Sequence, residues 1–182
     1  MSFKQGRMIR LLLLAVLSMP ILAGTSAARP QEIVAGGVQF DAPSDWIKAE
    51  EHSQMRIHQY EVPGEDSKNA ELAVFYFGTG QGGDVDANIQ RWQNQFGALK
   101  EGFTPEIKKA DVNGLKVTTV HFEGTFQTHM GGETGPKDAY AMLGSIVEGP
   151  IGPVFFKLTG PETTVNQAKL GFDSLVQSFR AA

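Results

Sequence analysis

Leu72-Ala73-Val74-Phe75-Tyr76-Phe77 is apolar at odd and even positions alike, the pattern of a β-strand covered on both sides of its sheet. A strand of that kind needs one layer above it and one below, so elements able to supply both are sought along the chain. Upstream, residues 37–40 read as a strand, and Asp41, Pro43 and Ser44 as a turn that delivers Trp46. Residues 53–62 alternate, with Met55 and Ile57 on one face and Arg56, His58 and Tyr60 on the other, as a half-buried strand requires.

Downstream, the glycine-rich residues 78–83 end at Asp84, whose carboxylate suits the free amides of a helix start. The helix runs to about Phe96: Val85, Ile89, Trp92 and Phe96 recur at steps of four, three and four and share a face. Asn113-Gly114, set between strands at 106–112 and 115–126, asks for a type I′ turn with positive φ at both positions and hence an antiparallel hairpin. A polar loop over residues 127–138 leads to strands at 140–147 and 154–159, joined across Gly149, Pro150, Gly152 and Pro153. Gly160-Pro161-Glu162 then opens a last helix, with Val165, Ala168, Phe172, Leu175, Val176 and Phe179 as its apolar stripe. The order βββα, ββββα predicts an α+β fold, one largely antiparallel β-sheet flanked by a helix on each face.

The first 28 residues set Lys4, Arg7 and Arg10 ahead of an apolar run over 11–22, which Pro20 interrupts and small residues follow. This is the pattern of a secretory signal, cleaved after Ala28 or Ala27, and the run is shorter than the roughly 20 residues a membrane span needs. The expected organisation is a cleaved signal over 1–28, a short flexible lead over 29–36 and a single globular domain over 37–180, periplasmic or secreted. With no cysteine in the chain, neither a lipid-modified cysteine nor a disulfide is available, so a hydrophobic core must carry the stability. The 154 residues after Ala28 suffice, since a domain of about 150 residues buries roughly 70% of its unfolded surface. Loss of the three signal cations leaves thirteen basic against 20 acidic side chains. That balance makes nucleic acid and anionic membrane poor partners, and Lys108 and Lys109 are flanked by Glu106 and Asp111 as a solvated patch.

Val38-Gln39-Phe40-Asp41-Ala42-Pro43-Ser44-Asp45-Trp46, Phe155-Phe156-Lys157-Leu158-Thr159-Gly160-Pro161 and the helix ending Leu175-Val176-Gln177-Ser178-Phe179 together resemble the PsbP-like superfamily, specifically an uncharacterised exported bacterial branch. The resemblance implies an α/β/α sandwich around an antiparallel sheet. Its motifs are structural and bring no catalytic residue with them, and members of the group differ in partners and roles.

Gly78, Gly80 and Gly83 fit the spacing of a dinucleotide loop, but the strands that follow form the Asn113-Gly114 hairpin instead of a parallel strand ending in an acidic residue; no cofactor is expected. His121 and Glu123 alternate onto one strand face, about 6.6 Å apart, and His129 follows with Glu133 nearby, donors suited to zinc or copper. Met130, Gly131, Gly132 and Lys137 lie in the polar loop, and loops on rigid sheets are where binding residues concentrate; Gly80 and Arg91 are the accompanying candidates. The chain has no Gly-x-Ser-x-Gly, His-Glu-x-x-His or Gly-Lys-Ser/Thr motif and no cysteine nucleophile. The expectation is an exported, non-catalytic binding or accessory protein of the bacterial cell envelope, with a protein partner or an envelope component. The alternatives are a small-ligand or metal carrier using His121, Glu123 and His129, and a hydrolase with a dispersed site. Intact-mass measurement on protein from an extracytoplasmic fraction is expected to show a chain beginning at Arg29, whereas a mass retaining residues 1–28 rejects the cleavage.

Overall fold

The computed structural model describes residues 31–50, 55–128 and 135–182, so residues 1–28, expected as a signal, and His129, Met130, Gly131, Gly132 and Glu133 lie outside the described residues. Its strands are β1 (Gln31–Ala35), β2 (Val38–Ala42), β3 (Ile47–Ala49), β4 (Arg56–Val62), β5 (Ala70–Tyr76), β6 (Phe96–Leu99), β7 (Glu106–Val112), β8 (Leu115–Thr128), β9 (Gly135–Gly149), β10 (Gly152–Pro161) and β11 (Arg180–Ala181). The helices are α1 (Val85–Gln93), α2 (Glu162–Gln167) and α3 (Lys169–Gln177). Every strand pairing is antiparallel. The large sheet runs β3-β4-β5-β10-β9-β8-β6, with β7 also on β8, and β1-β2-β11 form a small second sheet.

The doubly apolar strand is β5, one place from the middle, with β10 at the centre. Leu72 and Val74 enter a core shared with α2, α3 and the small sheet, while Phe75 faces α1. On β10, Phe156 packs edge-on against Phe40 (centroids 4.9 Å) and beside Phe179 (4.7 Å). Its neighbour Phe155 points the other way, to Trp92 at 6.4 Å. Helical layers on both faces thus meet the demand that the sequence of β5 makes, and the fold is α+β as expected. Each fully buried phenylalanine contributes roughly 2–3 kcal/mol of transfer free energy.

Local signals fix the joins. Asn113 (φ 48°) and Gly114 (φ 83°) make the predicted turn, and the Asn113 amide donates to the carbonyls of Gln177 and Phe179 at 3.3 and 2.9 Å, closing the end of α3. Asp84 accepts from the Ala87 amide at 3.1 Å and caps α1.

Several boundaries differ from the sequence expectation. Residues 31–35, expected as a flexible lead, form β1, because Gly36 and Gly37 (φ 54° and 78°) supply a tight turn back into β2. Helix α1 stops at Gln93 and Phe96 starts β6, since pairing with Phe126 of β8 uses its backbone groups instead. The loop expected over 127–138 is shorter: Gln127 and Thr128 pair with Pro136 and Gly135, extending the β8–β9 hairpin. A bulge between Arg56 and His58 breaks the period of two. His58 and Tyr60 stay on the Phe40 side, but Arg56 crosses to lie over Phe75. The closing helix is two, α2 and α3, parted at Ala168.

Two positions on the α1 face test the packing. A Cβ at Gly144 would come within 2.5 Å of the Trp92 indole. Lys157, in register with Ala73 and Gly144, donates from its ammonium to Gln95 Oε1 and sits 5.3 Å from the Phe126 ring centroid. Burial above all, then the Arg56 charge, lowers its pKa from 10.5 to about 8, against an upward pull from Glu71. The unfolded lysine holds its proton up to 10.5, so the folded state carries a cost below pH 8 of roughly 3 kcal/mol, which fades as pH rises from 8 to 10.5.

Gly144→Ala is therefore expected to destabilise the fold by about 1–3 kcal/mol through overpacking. Lys157→Met is expected to stabilise it at pH 7 by about 1–3 kcal/mol, with the gain shrinking as pH rises above 8 and largely gone by pH 10.5. Urea unfolding at the two pH values measures both, and a neutral Gly144→Ala or a destabilising Lys157→Met contradicts this account of the face.

Candidate functional site

The outer edge of β8 is shared: Leu115 to His121 pair with β7, and Gly124 to Phe126 with β6. The β7–β8 hairpin consequently stands alongside α3, and a cleft of about 360 Å³ lies between them. Val112, Val117, Phe172 and Val176 form its apolar floor, all buried. Glu106, Lys108, Lys169 and Asp173 line its rim. The rim charges are paired locally, Lys108 with Glu106 at 2.7 Å and Lys169 with Asp173 at 3.4 Å. The hydrogen bond from Lys108 holds the Glu106 carboxyl below the usual carboxylate range.

His121 closes one end of the cleft. Its ring stands edge-on to Phe103 at 5.2 Å, and Nε2 is 3.3 Å from Glu123 Oε1 in an orientation that makes no hydrogen bond. Desolvation lowers the His121 pKa more than Glu123 and Glu106 raise it. Glu123 is buried, which by itself would raise its pKa, but hydrogen bonds from Asn166 and Lys100 prevail and hold it down. Its Oε1 accepts from the Asn166 amide at 3.0 Å and its Oε2 from Lys100 Nζ at 3.0 Å. Lys100 also bridges to Glu162 in the first turn of α2.

His121 and Glu123 thus share a face, as their spacing requires. They lie under α2 and the chain after β6 instead of on an open strand edge. Both Glu123 oxygens already receive protein donors, and Lys100 brings positive charge to the place a cation would take. Among the described residues no group of three or more His, Asp or Glu is arranged to hold a metal ion; His129 and Glu133 lie outside them. Chemically, the network ties β8 to α2 and leaves His121 as the one titratable ring at the cleft wall.

The other sequence-derived candidates occupy separate elements. Lys137, on β9, lies 5.5 Å from the Tyr140 ring centroid. Gly80 (φ 70°) is exposed in the glycine turn, which the Asn88 side chain holds by donating to the carbonyls of Gly82 and Asp84, both at 2.8 Å. Arg91 is exposed on α1. Sequence reasoning missed Lys100, Asn166 and the cleft itself. Lys100, Glu123 and Asn166 are brought together across 66 positions of chain, and no local pattern marks such a meeting.

No family profile matches the chain, and no curated protein matches it in sequence. The fold is nevertheless that of the solution structure of cyanobacterial PsbP from Synechocystis sp. PCC 6803, at a TM-score of 0.54 and 16% identity over 87% of this chain and 96% of that one. Lesser likenesses are to a crystal structure from Bacteroides thetaiotaomicron (TM-score 0.47, 14% identity, 85% of this chain and 49% of that one) and to a Pseudomonas aeruginosa protein of unknown function (0.46, 12%, 85% and 99%). At these identities the likeness is one of fold, and the fold is PsbP-like.

The His121 shift sets a pH dependence. Unfolded chain takes up a proton near pH 6.5 that the folded imidazole resists, so stability is full above 6.5 and is lost as pH falls through it. Glu123 adds a second loss only below its ordinary value of 4.5. Thermal melting is expected to show a fall between pH 7.5 and 5.5 that His121→Gln flattens, and an unchanged slope in that variant contradicts the assignment.

Proposed function

We propose that this chain is an exported, non-catalytic binding protein, an accessory of the bacterial cell envelope, and that its cleft between β7–β8 and α3 receives a partner's apolar group. The observation that carries the reading is the chemistry of that cleft: a floor of buried valines and phenylalanine under a rim of paired charges. Binding pockets commonly combine an apolar lining with a few polar groups that orient the occupant, and a volume of about 360 Å³ accommodates one or two side chains or a small molecule. General acid–base catalysis asks for a pair of groups whose pKa values are driven apart. Here the carboxylates of the rim and of the adjoining network, Glu106 and Glu123, are both held low by ammonium or amide donors, which suits recognition better than proton transfer.

Export is supported by the order of cations, apolar run and small residues in the first 28 positions. Among the described residues no helix is long and apolar enough to cross a membrane. Gly80, Arg91 and Lys137, and in the sequence Met130, Gly131 and Gly132, belong to the reading as further contact candidates.

Native mass spectrometry of the protein taken gently from its host's extracytoplasmic fraction tests the reading. The wild-type chain is expected to carry a small molecule or a second polypeptide, and Ala110→Trp, on the exposed cleft wall, is expected to lose it. Cargo retained by the tryptophan variant places binding elsewhere, and a bare wild-type mass removes the cleft as the binding site.

A further inference from the structure

Strand β7 pairs with β8 along one of its sides, and among the described residues no strand lies on the other. Its ladder to β8 runs from Glu106↔His121 to Val112↔Leu115 without a register shift. The other margins of the large sheet are shorter or interrupted: β3 has three residues, and β6 breaks register against β8. Every residue of β7 except Val112 is exposed.

The turn decides which backbone groups of β7 face outward. In a two-residue hairpin the residues that flank the turn exchange both of their hydrogen bonds. Val112 and Leu115 flank Asn113-Gly114, so Val112, Ala110 and Lys108 direct their amides and carbonyls to β8. Ile107, Lys109 and Asp111 direct theirs to the open side. A regular edge of this kind is a template for a further strand.

Charge selects the strand. Lysine on an edge opposes indiscriminate pairing, and β7 carries Lys108 and Lys109. One antiparallel register with a second copy of β7 turns this opposition into attraction. With Ala110 on the two-fold axis, Lys109 faces Asp111 of the second copy, and Asp111 faces Lys109 of the second copy. Both are pairs of outward residues, so the seam gains about four backbone hydrogen bonds. Each Asp111 then stands between Lys116 of its own chain, its partner in the β8 register, and the lysine of the other. Registers centred on Lys108, Lys109 or Asp111 set like charges face to face on the axis. A register centred on Ile107 runs into Pro105, which has no N–H to give. The existing contact of Lys109 with Asp86, 3.4 Å between two exposed side chains, is of the weak kind that exchanges readily.

We propose that the chain forms a two-fold dimer through β7, the two large sheets joining edge to edge in the register centred on Ala110. The pairing is isologous and uses each β7 edge once, so it closes at two copies. Lys109 and Asp111 point to the α1 side, where Lys109 meets Asp86, and the β7–α3 cleft lies on the other side. Dimerisation and the binding proposed for the cleft are therefore separable, and either stands if the other fails.

Sedimentation equilibrium of the exported protein between about 1 and 500 µM is expected to give a monomer–dimer equilibrium with a Kd of about 10–100 µM, as suits a small interface. Lys109→Asp and Asp111→Lys are each expected to weaken it about tenfold or more, because each sets like charges together at both ends of the seam. An equimolar mixture of the two variants is expected to dimerise again, since opposite charges then meet at both places. The chain has no cysteine, so Ala110→Cys carries a single thiol. Its Cα lies about 4.5 Å from that of the second copy in the proposed register, within disulfide reach, and mild oxidation is expected to link the copies faster than it links Ile107→Cys. Thermal melting establishes that the variants are folded, and the wild-type equilibrium decides independently of them. A monomer throughout the concentration range, folded single variants that dimerise like the wild type, a mixture that stays monomeric, or faster linkage through Ile107→Cys each overturns the proposal.

Discussion

Strand β10 lies between β5 and β9 and is buried from both directions, and the alternation of its side chains sets what each face of the sheet must receive. Phe156 and Leu158 point toward α2, α3 and the small sheet, whereas Phe155 and Lys157 point toward α1. A slip of one residue would carry Lys157 into the Phe40–Phe179 core and bring Phe156 out to the α1 side, so the register is fixed by the free energy of both layers at once. The turn Pro150-Ile151 between β9 and β10 and the ladder to β5 then follow from that single alignment.

Coverage of the two faces is unequal, and the chemistry collects where coverage ends. On one face two helices and a three-stranded sheet supply the layer, and the gap left beside the β7–β8 hairpin is the cleft. On the other face, among the described residues, the nine-residue helix α1 covers the sheet around Trp92, while Phe77 is exposed and Phe75 and Arg56 are half-buried. Polar groups that would be costly deep in either layer sit at these margins: the Glu123–Lys100–Glu162 network under α2, and Lys157 beside Gln95. Each is held by partners from distant parts of the chain, which is how a buried charge is kept without unfolding its surroundings.

Signals that act over a few residues were legible. Asn113-Gly114 specified its turn by steric tolerance of positive φ, Asp84 specified a helix start by reaching the Ala87 amide, and Val85, Ile89 and Trp92 identified the buried side of α1. Signals that depend on a partner strand were not. The Arg56 bulge, the change from helix to strand at Phe96 and the extension of β8 and β9 into the expected loop are all decided by which backbone groups find partners across the sheet, a free energy with no imprint in the local pattern. Gly36-Gly37 was an available hairpin signal, since two adjacent glycines before Val38 suit a tight turn as well as Asn-Gly does.

The candidate site divides in the same way. His121 and Glu123 share a face because strand geometry has a period of two, and sequence alone determined that much, together with the absence of cysteine, the acidic balance, the α+β order and the apolar residues of the core. Tertiary structure decided what those two side chains meet: Lys100 and Asn166 arrive only because β6 and α2 pack onto β8, and they make Glu123 part of a tie between layers. It alone decided the cleft, which is a space left between elements. Spacing along a chain fixes direction from the backbone, whereas vacancy and charge balance depend on what packing brings alongside.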